Sequence, residues 1–240
     1  MAELHVLGEA ESNKHIIDTN AKSCNKLHKQ SSSQRKNKLL KIYCSNITSL
    51  SQHAIAYLFK NCDQYQIWSL LETRSTAAGL PAQTDLLKKR ARRSVATAAV
   101  PSTAGGMAHG GELIAFNHHL NMSPIDSSIL QYILSKTGAP LRICAVYIRL
   151  KKFTFVFANS YFRDKIGPTH LDNQEILMQL YLLQSIIGLR MFIYADFNCT
   201  PEELVETDWH NKLKMQLLVP RGPTTKSSTR KIAFALAHAE

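Results

Sequence analysis

Residues 188–205 read GLRMFIYADFNCTPEELV, and how this stretch folds decides how the rest of the chain is arranged. Leu189 to Tyr194 is an apolar run with Phe, Ile and Tyr in it, the composition of a buried strand. The run stops at Asp196-Phe197-Asn198. Side chains alternate between faces on an extended backbone, so Asp196 and Asn198 point one way while Phe197 turns into the core. Thr200-Pro201-Glu202-Glu203 then has the form of a helix start, with Thr200 as N-cap, Pro201 at the first helical position and Glu203 closing a capping box. A carboxylate and a carboxamide are thereby held between two rigid elements. Taken alone, such a pair reads first as a polar strand end, and its neighbours must decide.

Working outward, LLKIYCSNI alternates as a strand ending at Asn46, and Ser49 or Ser51 can cap a helix in QHAIAYLFKN, where Ile55, Leu58 and Phe59 share a face. YQIWSLLETR is a second apolar run, closed by Glu72, Thr73 and Arg74. Residues 75–104 offer little to pack and read as a surface excursion with a helix near 82–93. Gly110-Gly111 leads a strand in GELIAFNHHL, and residues 124–136 fit either a short helix or an interrupted strand. LRICAVYIRL and KFTFVFANSYF form a hairpin across Lys151-Lys152, with Asn159 and Tyr161 at its end. The clearest helix has Asp172 as cap, Glu175 at the box position, Ile176, Leu180 and Leu183 on one side, and Gly188 as stop. MQLLVP and RKIAFALA supply two late strands. Few long helices among many strands predict an α+β fold of two packed, mainly antiparallel sheets with helices outside. Residues 1–38 are polar and aperiodic and read as a flexible leader, with the folded domain over 39–240.

Composition narrows the partners. Twenty-nine Lys and Arg against eighteen Asp and Glu give a formal charge of +11, which suits a polyanion such as nucleic acid, a phosphorylated small molecule or an anionic headgroup. Lys88, Lys89, Arg90, Arg92 and Arg93 crowd into six positions, a phosphate-contact patch or a nuclear-localisation cluster set against the plainer reading of a solvated basic loop. With no secretory signal evident, an intracellular setting is expected, nuclear if that cluster serves as an address. No apolar run approaches the roughly 20 residues that cross a bilayer. Five widely spaced cysteines form no C-x-x-C pair, against a disulfide scaffold or structural zinc site. The glycine pairs do not follow the dinucleotide or P-loop pattern, and no G-x-S-x-G elbow is present.

Four strand-like runs thus end in polar groups: Asn46, Glu72, Asn159 with Tyr161, and Asp196 with Asn198. If these ends converge, they make a cleft whose carboxylates suit Mg2+, which uses one or two carboxylates plus waters and substrate phosphate. Arg74, beside Glu72, joins the basic cluster as a candidate phosphate contact.

In KIYCSNITSL, IWSLLETR, GGELIAF, ANSYF and YADFNCTPEEL, taken in that order, the chain resembles the endonuclease/exonuclease/phosphatase superfamily, and KIYCSNITSL and LLETR look closest to endonucleases of non-LTR retroelements. The resemblance implies a four-layer α/β/β/α sandwich and water attack on a phosphodiester or phosphomonoester, with Mg2+ (or Mn2+) near Glu72 supported by Asn46. It further implies that Asp196 orients or deprotonates the water, that Asn198 positions the phosphate, and that Tyr161 contacts a phosphoryl oxygen, with Asn159 in the same region. The expected substrate is nucleic acid, with a phosphorylated lipid or inositol as an alternative.

Two departures from the family pattern shape the expectation. Ala233, in RKIAF, stands where family members carry an Asp that orients a catalytic His, and the Ser-Asp-His element that follows in the family has no counterpart before Glu240. A last strand and that catalytic element are therefore expected to be missing. Loss of positioned acid–base groups slows such chemistry by roughly 10²–10⁴-fold. A weakly active endonuclease and an inactive domain with residual nucleic-acid binding both remain open at this point.

Overall fold

Period-two burial along the strands builds two sheets that stack face to face. The computed structural model describes residues 2–6, 39–101, 106–222, 224 and 231–238. The first sheet takes β1 (Ala2–Val6), β2 (Leu40–Asn46), β3 (Ile67–Leu71), β4 (Arg92–Thr97) and β5 (Glu112–Asn117), in the spatial order β1-β2-β3-β5-β4. The second takes β6 (Met122–Pro124), β7 (Ile143–Arg149), β8 (Thr154–Tyr161), β9 (Met191–Asp196), β10 (Met215–Leu218) and β11 (Ala233–His238), in the order β10-β11-β9-β8-β7-β6. Among the described residues only β2–β3 and β8–β9 pair in parallel; the other ladders are antiparallel.

Between the sheets, Leu40, Ile42 and Cys44 of β2, Ile114 and Phe116 of β5, Phe155 and Phe157 of β8 and Phe192 and Tyr194 of β9 form one core. The intervening positions of the same strands face helices. Trp68 and Leu70 pack with Ile55 and Leu58 of α1 (Gln52–Asn61) and Leu87 of α2 (Leu80–Lys88). Val156, Ala158, Ile193 and Ala195 pack with Ile133 of α3 (Ser127–Thr137) and with Ile176, Leu180 and Leu183 of α4 (Leu171–Ile187). Each fully buried Val, Leu, Ile or Phe among them contributes roughly 1.5–3 kcal/mol. The result is an open α/β/β/α sandwich. Among the described residues, no helix is long and apolar enough to cross a membrane.

Local chemistry sets most boundaries. Ser51 caps α1 through a bond from the Ala54 N–H, Gly188 ends α4 in the left-handed region, and Thr200 with Glu203 forms a complete capping box on α5 (Pro201–Glu206). Three expectations change and one open alternative, at 124–136, resolves as a helix. Residues 2–6, counted with the polar leader, form an edge strand beside β2, while 7–38 lie outside the described residues. His170, not Asp172, caps α4, its ring accepting from the Asp172 N–H. Residues 122–137 divide into a short strand and a helix. The helix expected near 82–93 stops at Lys88: Ala91 takes φ 58°, the chain reverses, and Arg92–Thr97 enters the sheet beside β5.

Candidate functional site

The parallel pairs carry β2, β3, β8 and β9 toward one end of the sandwich, and there the inward-facing register continues from apolar into polar residues. Asn46 follows Cys44 on β2, Asp196 follows Tyr194 on β9, Tyr161 follows Asn159 on β8, and Glu112 precedes Ile114 on β5. A hydrogen bond from Asn46 Nδ2 to Asp196 Oδ2, 3.0 Å, joins the two sheets at this end. Asn46, Glu72, Tyr161, Asp196 and Asn198 are therefore brought together.

Asp196 is 5 % exposed, and burial pushes its carboxyl up to about 6. The Asn46 amide and the Asn198 N–H, 3.4 Å from Oδ1, oppose that rise, and the negative charges of Glu72 and Asp164 add to it. Phe197 does turn inward, stacked on Phe234 with centroids 4.3 Å apart. Asn198 takes φ 50° and donates its amide to the Phe162 carbonyl at 2.6 Å. The Tyr161 phenol is pushed up to about 12, first by burial and then by Glu72 and Asp196, with an Asn198 hydrogen bond opposing; it is an O–H donor throughout the physiological range.

Glu72-Thr73-Arg74 is a constrained, locally kinked segment that runs on from β3 beside Gly110-Gly111. Glu72 and Arg74 both hold left-handed φ values, 54° and 53°, and the Thr73 and Arg74 N–H groups donate to Gly111 O and Gly110 O. The bend turns Arg74 onto Glu72: Nη2 lies 2.5 Å and Nε 3.1 Å from Glu72 Oε1. Gly111 cannot be larger, because a Cβ there would sit 2.6 Å from Thr73 Oγ1.

These contacts decide how the residues suit Mg2+. Glu72 Oε1 is engaged by a guanidinium, and the Asn46 amide is committed at both ends, with Oδ1 accepting from the Thr48 N–H at 3.0 Å. Among the described residues, no group of three or more His, Cys, Asp or Glu side chains is placed to hold a metal ion. As arranged, Glu72 Oε1 and both ends of the Asn46 amide are taken up by protein partners, which leaves a weak donor set for Mg2+ at this end.

Other candidate residues lie elsewhere. Asn159 is fully buried between the sheets, its Nδ2 donating to Ser69 Oγ at 3.0 Å and Leu113 O at 3.3 Å, so it ties the sheets together rather than facing the cleft. Lys88, Lys89, Arg90, Arg92 and Arg93 sit at the opposite end of the sandwich, since Arg92 pairs with Asn117 whereas Thr97 pairs with Glu112. They cannot serve the cleft as phosphate contacts. Arg92 is not a surface cation at all: it is 1 % exposed, lies 3.6 Å from the Trp68 ring centroid and donates to Asp63 Oδ1 and Tyr65 O. Among the described residues no histidine hydrogen-bonds to Asp196; His118 and His119 follow β5 at the far end, and His238 there accepts from the Met191 N–H.

Sequence reasoning missed Glu112 and Arg142. Glu112 is 1 % exposed, neither carboxylate oxygen has a hydrogen-bond partner among the described residues, and burial pushes its pKa up to about 8 despite the charge of Arg142. Arg142 Nη2 donates to the Tyr161 carbonyl at 3.0 Å. The signal was available: Glu112 shares the inward phase of Ile114 and Phe116 in GELIAF.

Comparison with known proteins agrees with the architecture. No family model matches the sequence, and no curated protein matches it. Among solved structures, the AP endonuclease LMAP from Leishmania major superposes with a TM-score of 0.56 at 9% identity, covering 82% of this chain and 78% of that one. The endonuclease domain of TRAS1, a telomere-specific non-LTR retrotransposon, gives 0.54 at 13%, covering 82% and 84%. An endonuclease/exonuclease/phosphatase family protein from Bacteroides thetaiotaomicron gives 0.50 at 10%, covering 82% of each. The likeness is spread across these proteins and does not single out the retroelement enzymes. The chain has the fold shared by endonuclease/exonuclease/phosphatase proteins.

Proposed function

We propose that this chain is a nucleic-acid-binding domain on a nuclease-type fold whose cleft does not support efficient hydrolysis. The observation that carries the reading is the Glu72–Arg74 pair: the carboxylate best placed to receive a divalent cation is already neutralised by a guanidinium that shares its bend. Ala233 supports it, because the strand position directly opposite Asp196 offers no group to orient a proton carrier. The charge of +11 supports a polyanionic partner. The resemblance of KIYCSNITSL and LLETR to non-LTR retroelement endonucleases supports descent from an enzyme of that type.

A second reading, phosphodiester hydrolysis, is favoured by Asp196. A buried carboxyl near 6, oriented by Asn46 and Asn198, is suited to take a proton from an attacking water close to neutral pH. In that reading Tyr161 donates to a phosphoryl oxygen and Asn198 positions the phosphate.

Nicking of supercoiled plasmid and of an abasic oligonucleotide, with Mg2+ and with Mn2+, separates the two. The proposed function expects wild type and Asp196→Ala to be indistinguishable. Cleavage by wild type that Asp196→Ala abolishes would establish the second reading instead.

A further inference from the structure

The two ends of the sandwich differ in charge. The cleft end mixes signs: Glu72, Asp164, Asp196, Glu202 and Glu203 stand there with Arg74, Arg142, Arg163 and Lys165, and the Glu112 carboxyl, pushed up to about 8, adds no charge at neutral pH. At the other end, Lys88 closes α2, Lys89 and Arg90 follow it in the turn before β4, and Arg93 is the second residue of that strand, all four exposed. The second sheet adds Arg149 at the close of β7 and Lys151 in the turn after it, both exposed. These two groups face one another across the 118–121 turn: Arg93 Nη2 donates to Leu120 O at 2.6 Å, and the Arg149 N–H to Asn121 O at 2.9 Å. A depression of about 350 Å³ at the same end, between the close of α4 and the segment leading into β10, is lined in part by Arg190, Lys212 and Lys214.

We propose that this pole, and not the cleft, is the surface on which the chain holds nucleic acid. The proposal rests on the nucleic-acid reading above and deepens it. Three observations favour a phosphate backbone. First, the cations are spread over several strand ends rather than converging on a point; with strands ~4.8 Å apart they cover ~20 Å, the length of several nucleotides.

Second, the guanidiniums are pre-oriented. Arg90 lies over Phe59 at 4.8 Å, Arg93 over Phe116 at 5.0 Å and Arg149 over Tyr147 at 5.3 Å from the ring centroids. Stacking on a ring fixes the plane of each guanidinium, and Arg93 and Arg149 are held further by Nη2 on Leu120 O and Nη1 on Ser123 Oγ, so that their other N–H groups meet a phosphate at small entropic cost. Buried Arg92 anchors the turn that carries three of these cations, through Trp68, Asp63 and Tyr65. Third, Phe153, 42 % exposed between Lys152 and Thr154, offers a face on which a base can stack. The seven-residue β2 separates this pole from Asn46 by ~20 Å, so a strand held there lies outside the cleft of the same chain.

The test is fluorescence anisotropy of labelled 30-nucleotide single strands and 30-base-pair duplexes, over a salt series, with EDTA present. The combined substitution Lys88→Glu, Lys89→Glu, Arg90→Glu, and separately Arg149→Glu with Lys151→Glu, should each weaken binding at least tenfold. The triple variant should also flatten the dependence of log affinity on log salt by ~2–3. All five residues are exposed, and an unchanged melting temperature verifies that the variants fold. Arg74→Ala, in the cleft, should leave affinity within twofold. Binding that survives at the pole but is lost with Arg74→Ala would overturn this inference while leaving the proposed function standing. No binding to either nucleic acid would overturn both, as would capture by phosphatidylserine vesicles alone.

Discussion

Ala233 lies directly across the β9–β11 ladder from Asp196. The next N–H, of Phe197, donates to Ile232 O at 2.8 Å, which makes Asp196 and Ala233 a pair without mutual hydrogen bonds, the kind with the closer side chains. Ala233→Asp would therefore set a second carboxyl against one that burial already holds near 6. Two carboxylates at that spacing cannot both ionise cheaply. We expect one of the pair to titrate well above 6, and a loss of ~1–3 kcal/mol at pH 8 that shrinks at pH 5. Carboxyl carbon NMR titration and denaturation at the two pH values check this, with Ala233→Asn as the control lacking pH dependence.

Glu112 should make the fold pH-sensitive on the alkaline side. Its pKa rises on folding from an ordinary 4.5 to about 8, so between those values the folded chain binds the extra proton and stability falls as pH rises. The loss is complete above about 8 and amounts to several kcal/mol, ~5 at most. Asp196 adds a smaller fall in the same direction between 3.8 and about 6. Glu112→Gln should flatten the melting temperature from pH 6 to 9, where the wild type declines.

Arg92 should behave as a core residue and its neighbours as surface. Arg92→Ala removes the stack on Trp68 and leaves the carbonyls of Asp63 and Tyr65 without their donor, a loss of ~3–4 kcal/mol. Lys88→Ala and Lys89→Ala should stay within ~0.5 kcal/mol. Urea denaturation of the single variants compares them directly.

Gly111→Ala should disturb the Glu72–Arg74 bend. The new methyl would meet Thr73 Oγ1 at 2.6 Å and Ala99 N at 3.2 Å, at φ +83°, so a cost of ~2–3 kcal/mol is expected. Thr73→Ala removes the nearest atom, and the double variant should be less destabilised than the sum of the singles. Thermal melts of the three proteins complete the cycle.

Local signals were legible in the sequence where one element explains itself. The β9 run, the inward turn of Phe197 and the Thr200–Glu203 box each depend on residues a few positions apart. What escaped depends on distant partners. Arg92 reads as one more cation until Trp68 is seen beneath it, and Glu112 meets Arg142 only after thirty residues of chain have returned. The alternation of AELHV is visible in the sequence, but five residues against a polar background weigh less than a partner strand lying 34 residues further on. Within the cleft, convergence of Asn46 with Asp196 followed from strand ends, whereas Arg74 turning onto Glu72 needed two left-handed residues that no propensity requires.

Asn159 works as a register key. Its amide reaches Ser69 on β3 and Leu113 on β5, two strands that are themselves paired, with Ser69 opposite Ile114 and Leu70 opposite Leu113. A slip of β3 against β5 by one residue would swap Ser69 for an apolar neighbour and leave a dry amide unanswered. Apolar packing between the sheets tolerates many near-equivalent dockings; this buried polar contact, like the Asn46–Asp196 bond at the cleft end, accepts one. Correct docking of the two sheets and the β3–β5 alignment therefore depend on one another, which makes one buried amide a check on assembly.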